Sequence, residues 1–393
     1  MRKDWEYKKL GEVAISDLGK TLNKSKDTGT LYPYLCAINI LWDKIDLSTL
    51  KETRFEDDEL ERYTVKYGDL LVCEGGDTGR AAIWDKQETM LYQNALHRIR
   101  LNNEINSRFL LYYLWQLKLN GEIDAKYSKG VTIKHLVKSS LMSIPTPLPP
   151  KPTQLAIVAE LDKINELIQL KKQQLKDYDQ LAQSIFYEMF GDPVENEKGW
   201  EVKKLGEICS KIGSGATPKG GNNSYKDTGI SLIRSLNVHN NLFKYEDLAH
   251  IDDSQATALN NVIVKEKDIL LNITGASVAR CCIVPNDVLP ARVNQHVCII
   301  RIANESDSFY LNRLFTNDSY QSKLLALSKS KAATREALPK TIVESLSVPL
   351  PPLPLQQQFA ARIEAIERQK QQVSETIKDL ETLLASRMQY WFD

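Results

Sequence analysis

The chain has 393 residues, 51 lysines and arginines against 51 aspartates and glutamates, and six cysteines with no C-x-x-C spacing. That length suggests two or three domains, and the balanced charge excludes a whole-chain field that draws in a polyanion, so any nucleic-acid surface is local. No run approaches the roughly 18 apolar residues of a membrane span, and the start MRKDWEYKKL lacks the apolar core of a signal peptide; a cytoplasmic protein with reduced, buried cysteines is expected.

Residues 1–150 read as one globular unit of mixed helix and strand, opening on Trp5-Glu6-Tyr7-Lys8-Lys9-Leu10-Gly11-Glu12. The apolar runs Tyr32 to Ile40 and Thr64 to Cys73, each bounded by turn residues, predict strands. Glu74-Gly75-Gly76-Asp77-Thr78-Gly79-Arg80 predicts a tight turn, and Phe109, Leu110, Tyr113, Leu114 and Leu117 space a helix over 107–119. A segment containing Lys129-Gly130-Val131-Thr132-Ile133-Lys134 then leads to a proline-rich junction. Residues 151–192 form a long helix, 193–352 a second globular unit, and 353–393 a final helix.

The second half restates the first. PLPPKPTQLAIVAELDKI from Pro147 returns as PLPPLPLQQQFAARIEAI from Pro349, so that adding 202 sets Gln154 on Gln356 and Phe190 on Phe392. The opening returns at Trp200, Gly68-Asp69-Leu70-Leu71-Val72 as Lys267-Asp268-Ile269-Leu270-Leu271, and Arg80 and Arg100 as Arg280 and Arg301. A fixed-period repeat of this kind is a tandem duplication. In each helix the apolar residues follow steps of three and four: Leu161, Ile164, Ile168, Leu175, Tyr178, Ala182, Ile185 and Met189, then Ile363, Ile366, Val373, Ile377, Leu380 and Leu384. That is a coiled-coil seam, with Lys171, Lys370, Arg387 and Trp391 filling further slots. From Gln154 to Phe190 the rise is roughly 55 Å.

The order and duplication of these motifs, together with Ser214-Gly215-Ala216-Thr217-Pro218, resemble the specificity subunit of type I restriction–modification systems over essentially the whole chain. The resemblance implies an α+β fold: a duplicated target recognition domain (1–150 and 193–352), each copy followed by a long helix, with the two helices as an antiparallel coiled coil. It implies double-stranded DNA as ligand, read as two unlike half-sites. Two modification subunits that methylate adenine with S-adenosylmethionine, and a motor-nuclease restriction subunit, are the implied partners. An antiparallel pair would set the domains at opposite ends and the half-site centres on the order of 10–16 base pairs apart.

No catalytic signature is present. Pro149-Pro150 and Pro351-Pro352 follow leucines, not the asparagine of an adenine methyltransferase loop, and Gly221 stands where a phosphate-binding loop needs lysine. The five histidines lack paired metal spacing, and no metal or cofactor is expected in the chain itself. The DNA-binding candidates are polar loops: Lys20, Asn23, Lys24 and Lys26 in the first unit, answered by Ser214, Thr217, Lys219, Asn222 and Asn223 in the second. Lysine suits phosphate, whereas asparagine, glutamine and arginine make paired bonds to base edges. Arg80 and Arg280 beside the glycine turns, and Gln93-Asn94 and Asn294-Gln295-His296, are further candidates; the alternative roles are a solvated loop or a salt bridge, and for the latter two groups buried strand ends. Lys129, Thr132 and Lys134, and Lys331, Thr334 and Arg335, precede helical segments whose backbone N–H groups suit a phosphate. The competing functions are a methyltransferase or nuclease with its own site, and a tether that binds proteins.

Overall fold

The computed structural model describes residues 5–23, 28–130, 134–218, 220–303, 306–330 and 336–393. They form two compact units, Met1–Gln173 with Ser374–Asp393, and Gln174–Val373. Each unit therefore holds one globular domain, half of the helix Lys151–Phe190 and half of the helix Leu353–Phe392.

In the first unit one four-stranded antiparallel sheet runs in the order Ala14–Leu18, Leu96–Leu101, Leu70–Cys73, Ala81–Ile83. A second sheet runs Lys51–Phe55, Thr30–Leu35, Met90–Tyr92, Thr64–Val65, with its middle pair parallel. The second unit repeats both orders, including the parallel pair, now between Ile230–Ile233 and Ala291–Val293. In each domain a two-stranded ribbon ties the start to the end: Glu6–Lys9 with Pro145–Leu148, and Glu201–Lys204 with Ser347–Leu350. Leu70 to Cys73 are buried without exception, as a central strand covered on both faces must be.

Two predicted strands are each interrupted. The run from Tyr32 to Ile40 is strand in Thr30–Leu35 and resumes only at Ile40–Leu41, because the Asn39 side chain accepts the Cys36 N–H at 2.9 Å and turns the chain. The run from Thr64 to Cys73 breaks at Gly68 (φ +86), where Asp69 accepts the Lys66 N–H at 2.8 Å. The helix Ser107–Leu119 forms as expected, capped by Asn106, whose side chain accepts from Arg108 and Phe109.

The duplicated motifs prove to be clamps. Gln154 is buried; its amide donates to Pro149 O and Glu104 O and accepts from Asn106 N–H at 2.8 Å. Gln356 is fully buried; it donates to Pro351 O at 2.7 Å and accepts from Ser306 Oγ and Asp307 N–H. Each glutamine thus fastens the start of its long helix to the adjoining domain. Asp69 and Asp268 each take a two-pronged bond from Arg100 and Arg301 while capping the turn before their strand.

The long helices run antiparallel in both units. In the first, Glu160 pairs with Arg387 and Lys172 with Glu381, so that residue numbers rise along one helix as they fall along the other. In the second, Asp179 meets Lys370 at 2.7 Å while Phe186 and Phe190 meet Phe359. Lys370 thus occupies its seam slot with Asp179 as counter-ion. At both C-terminal ends the buried line leaves the predicted slots. Phe186 and Phe190 are more buried than Ile185 and Met189, and Met388 and Phe392 more than Arg387 and Trp391. There each helix packs on a globular domain as well as on a helix, so the buried stripe widens to steps of four. Phe392 lies 5.3 Å from Phe109 in the first unit, and Phe190 lies 4.8 Å from Tyr310 in the second.

Candidate nucleic-acid interface

In the first unit backbone bonds stitch four polar segments to one another. Asn94 N–H donates to Lys20 O, Glu74 N–H to Ala95 O and Leu136 N–H to Glu74 O. The loop after Ala14–Leu18, the Gln93–Ala95 turn, the glycine turn and the Lys129–His135 bridge therefore share one edge of the antiparallel sheet. Gly19 is required there by close approach, since an added Cβ would lie 2.4 Å from the Gln93 backbone.

Several candidates on this edge are committed to the framework. Lys20 is 5 % exposed; its ammonium contacts Glu59 at 2.5 Å and Arg54 O at 2.8 Å, and sits 4.9 Å over the Phe55 ring. It is an internal strut and not a surface lysine. Arg80 donates to Ala37 O at 2.9 Å and faces Asp77. Gln93 donates to Asn94 O, and Asn94 to the Thr21 hydroxyl. Lys134 donates to Asp124 O at 2.9 Å, while Asn23 and Lys129 are exposed. The helices that follow these segments, Lys138–Met142 and Lys340–Glu344, have five residues each, with Val137 and Pro339 at the N-cap positions and no side-chain cap bond. Lys24, Lys26, Thr132, Lys219, Lys331, Thr334 and Arg335 lie outside the described residues, as does the side chain of Asn222.

The second unit carries the same edge with other chemistry. Gly215 N–H donates to Asn294 O, and a Cβ on Gly215 would fall 1.7 Å from Val293 O, which explains the glycine of the Ser214-Gly215 motif. Asn294 is buried and caps the His296 N–H at 3.0 Å, a strand-end role. Beside it runs a polar chain. Thr217 Oγ1 donates to Gln295 Oε1, and Gln295 Nε2 donates to His296 Nε2 at 3.1 Å. The imidazole proton is thereby left on Nδ1, which donates to Thr274 Oγ1 at 2.6 Å. Ser214 ends its strand opposite Cys298, and Asn223 is exposed. Thr274, Ser277, Arg280, His296 and Ser235 line an open depression of about 420 Å³. His239 lies near it, held below its ordinary value by burial first and then by the Lys244 and Arg280 charges.

Sequence reasoning singled out neither Thr274 nor Ser277, although both stand in the turn aligned with the first unit's glycine turn. Asp252 caps the helix Asp253–Ala258 by accepting from Gln255 N–H. Among the described residues no cluster of three histidine, cysteine, aspartate or glutamate side chains could hold a metal ion. No described helix is long and apolar enough to cross a membrane.

A family model for the type I restriction modification DNA specificity domain matches residues 2–177 and again 197–382. The chain belongs to that family. The MjaIX type I restriction enzyme specificity subunit of Methanocaldococcus jannaschii is 25% identical over 390 residues, covering 93% of this chain and 87% of its own. The type I specificity subunit from M. genitalium, a crystal structure, covers 99% of this chain and 96% of its own at 16% identity and a TM-score of 0.54. A chain from a structure concerned with assembly and conformational transition of the type I system covers 100% and 98% at 20% identity and a TM-score of 0.57. At those identities the structural likeness speaks for the fold. Each half of this specificity-family chain carries one matched domain, in agreement with the repeated sheet orders.

Proposed function

We propose that this chain is the non-catalytic, sequence-reading subunit of a cytoplasmic type I restriction–modification enzyme. Each domain reads one half of a two-part, asymmetric DNA target. The helices seat two modification subunits, which methylate adenine with S-adenosylmethionine, and restriction subunits join through them. The observation that supports this reading best is a repeated framework with unlike loops: the two domains keep the same strand orders and clamps, yet one edge carries Asp77 and the Lys20 strut while the other carries the Thr217–Gln295–His296–Thr274 chain. Framework repetition preserves how each domain is held, and loop divergence changes what it contacts.

Replacing residues 193–352 with the corresponding domain of a relative, in a chain reconstituted with its modification subunits, tests the division of labour. Methylation profiling of a genome carrying the hybrid should show one half-site changed and the other kept. A hybrid that changes both half-sites together, or methylates without any target, would refute the reading.

A further inference from the structure

Arg80 and Arg280 follow the same turn after the same strand, but their surroundings differ in ways that set one guanidinium free. In the first domain Arg80 Nη2 donates to Ala37 O at 2.9 Å, and Asp77 lies 3.8 Å from Nη1. Ala37 O accepts the Ile40 N–H. The side chain at the end of the preceding strand is Cys73, whose thiol reaches Ala37 O only at 3.8 Å, so the arginine supplies the second strong bond to that carbonyl.

In the second domain the equivalent carbonyl is that of Ser235. Ala37 precedes Asn39 as Ser235 precedes Asn237, and both asparagines accept the N–H three residues back: Cys36 at 2.9 Å and Arg234 at 3.0 Å. Here Asn272 replaces Cys73 and donates to Ser235 O at 2.9 Å, taking the acceptor that Arg80 uses. The turn carries Ala276 and Ser277 in place of Asp77, removing the counter-ion as well. Among the described residues the Arg280 guanidinium makes no hydrogen bond or ion pair. It is partly buried at the depression beside Thr274, Ser277 and His296, whose lining contains no carboxylate. A partly buried cation with hydroxyls around it and no protein acceptor is a site for an external acceptor. The backbone points the same way: Ala279 sits at φ +69 where the first domain has Gly79 at φ +83, a strained conformation for a residue with a Cβ.

We infer that Arg280 is a DNA contact peculiar to the second domain, donating to a pair of acceptors on a phosphate or on the O6/N7 edge of a guanine, whereas Arg80 is a framework residue. The inference rests on the DNA-reading function proposed above.

The test uses the full chain with its modification subunits, duplexes carrying the target found by methylation profiling, and titrations over a range of salt. Arg280→Ala should weaken binding by about 5- to 150-fold, with no change in the urea midpoint of its unit. If the acceptor is guanine, the loss disappears on duplexes in which one base pair of one half-site is replaced. If it is phosphate, the loss is uniform over sequences and the salt slope falls by about one. Arg80→Met should bind within about twofold of wild type while lowering the urea midpoint of its own unit, because it removes the charged donor from Ala37 O and leaves only the Ile40 N–H and the distant Cys73 thiol there. Arg280→Ala binding as wild type at every salt, or Arg80→Met losing as much affinity as Arg280→Ala, would overturn the inference with the function intact. A wild-type complex that prefers no duplex would overturn both.

Discussion

The glutamine clamps make a quantitative claim about how the long helices are held. In the second unit Gln356 is 0 % exposed and its amide makes three bonds, to Pro351 O, Ser306 Oγ and Asp307 N–H. Gln356→Ala strands the Pro351 carbonyl and the Asp307 N–H, each at about 1–2 kcal/mol for a buried unpaired group. It also removes one methylene, at about 0.8 kcal/mol. The expected loss is on the order of 3–5 kcal/mol. Gln356→Glu keeps the acceptor oxygen but sets a carboxylate against Pro351 O, which has no proton to give. Its folded-state pKa therefore rises above that of the unfolded chain, and the variant should regain stability as pH falls and the carboxyl can donate. Urea unfolding followed by amide exchange, peptide by peptide, separates the units. Protection should fall in peptides of Gln174–Val373 and hold in the other unit, with Gln154→Ala giving the reverse. A loss below about 1 kcal/mol, or one shared equally by both units, would show that the amide is not what fastens the helix.

Two further outcomes follow from buried groups. The His97 imidazole is held below its ordinary 6.5 by burial; Nε2 must carry the proton it donates to Leu136 O at 2.7 Å, and Nδ1 is buried with no partner. With its folded pKa lowered, its contribution is complete above about pH 6.5 and is lost as pH falls through the lower folded value. The melting temperature of the first unit should drop over that range in wild type and less in His97→Gln, which retains the donor. Gly215→Ala should leave the second unit unfolded or more than about 4 kcal/mol weaker, because the added carbon meets Val293 O at 1.7 Å. Gly213→Ala, with nothing within 4 Å of the new carbon, should change the urea midpoint little.

What could be read from the sequence was whatever local spacing determines. The duplication, the helix starts at Lys151 and Leu353 and the helix Ser107–Leu119 all rest on periodicity and on residues a few positions apart. Lys20 failed as a surface residue because its burial depends on Phe55 and Glu59, which are distant in sequence and are brought near by the second sheet. The seam slots at Arg387 and Trp391 failed because Phe109 and Tyr113 draw Phe392 inward, a contact that no heptad count contains. Arg80 and Arg280 looked equivalent because alignment compares residues at one position, whereas their difference lies in Cys73 against Asn272 and in Asp77 against Ala276 and Ser277.

The same comparison shows why the two domains could diverge without losing their fold. Gln154 and Gln356, Asp69 and Asp268, and Asn39 and Asn237 each satisfy backbone N–H or C=O groups of their own unit. Substituting any of them strands a buried backbone group, so these positions tolerate little change. Cys73 and Asn272 stand at one position and show the opposite case. There a backbone carbonyl that already accepts an N–H of its own turn has its second acceptor position filled in two ways, by the following arginine or by an amide in place of the thiol. With Asn272 on that carbonyl, the Arg280 guanidinium is released at no cost to the strand end, and Ala276 and Ser277, standing where the first domain has Asp77, offer it no carboxylate. A framework that satisfies itself locally leaves its rim chemistry open to change, and the reading of two unlike half-sites proposed above needs that latitude.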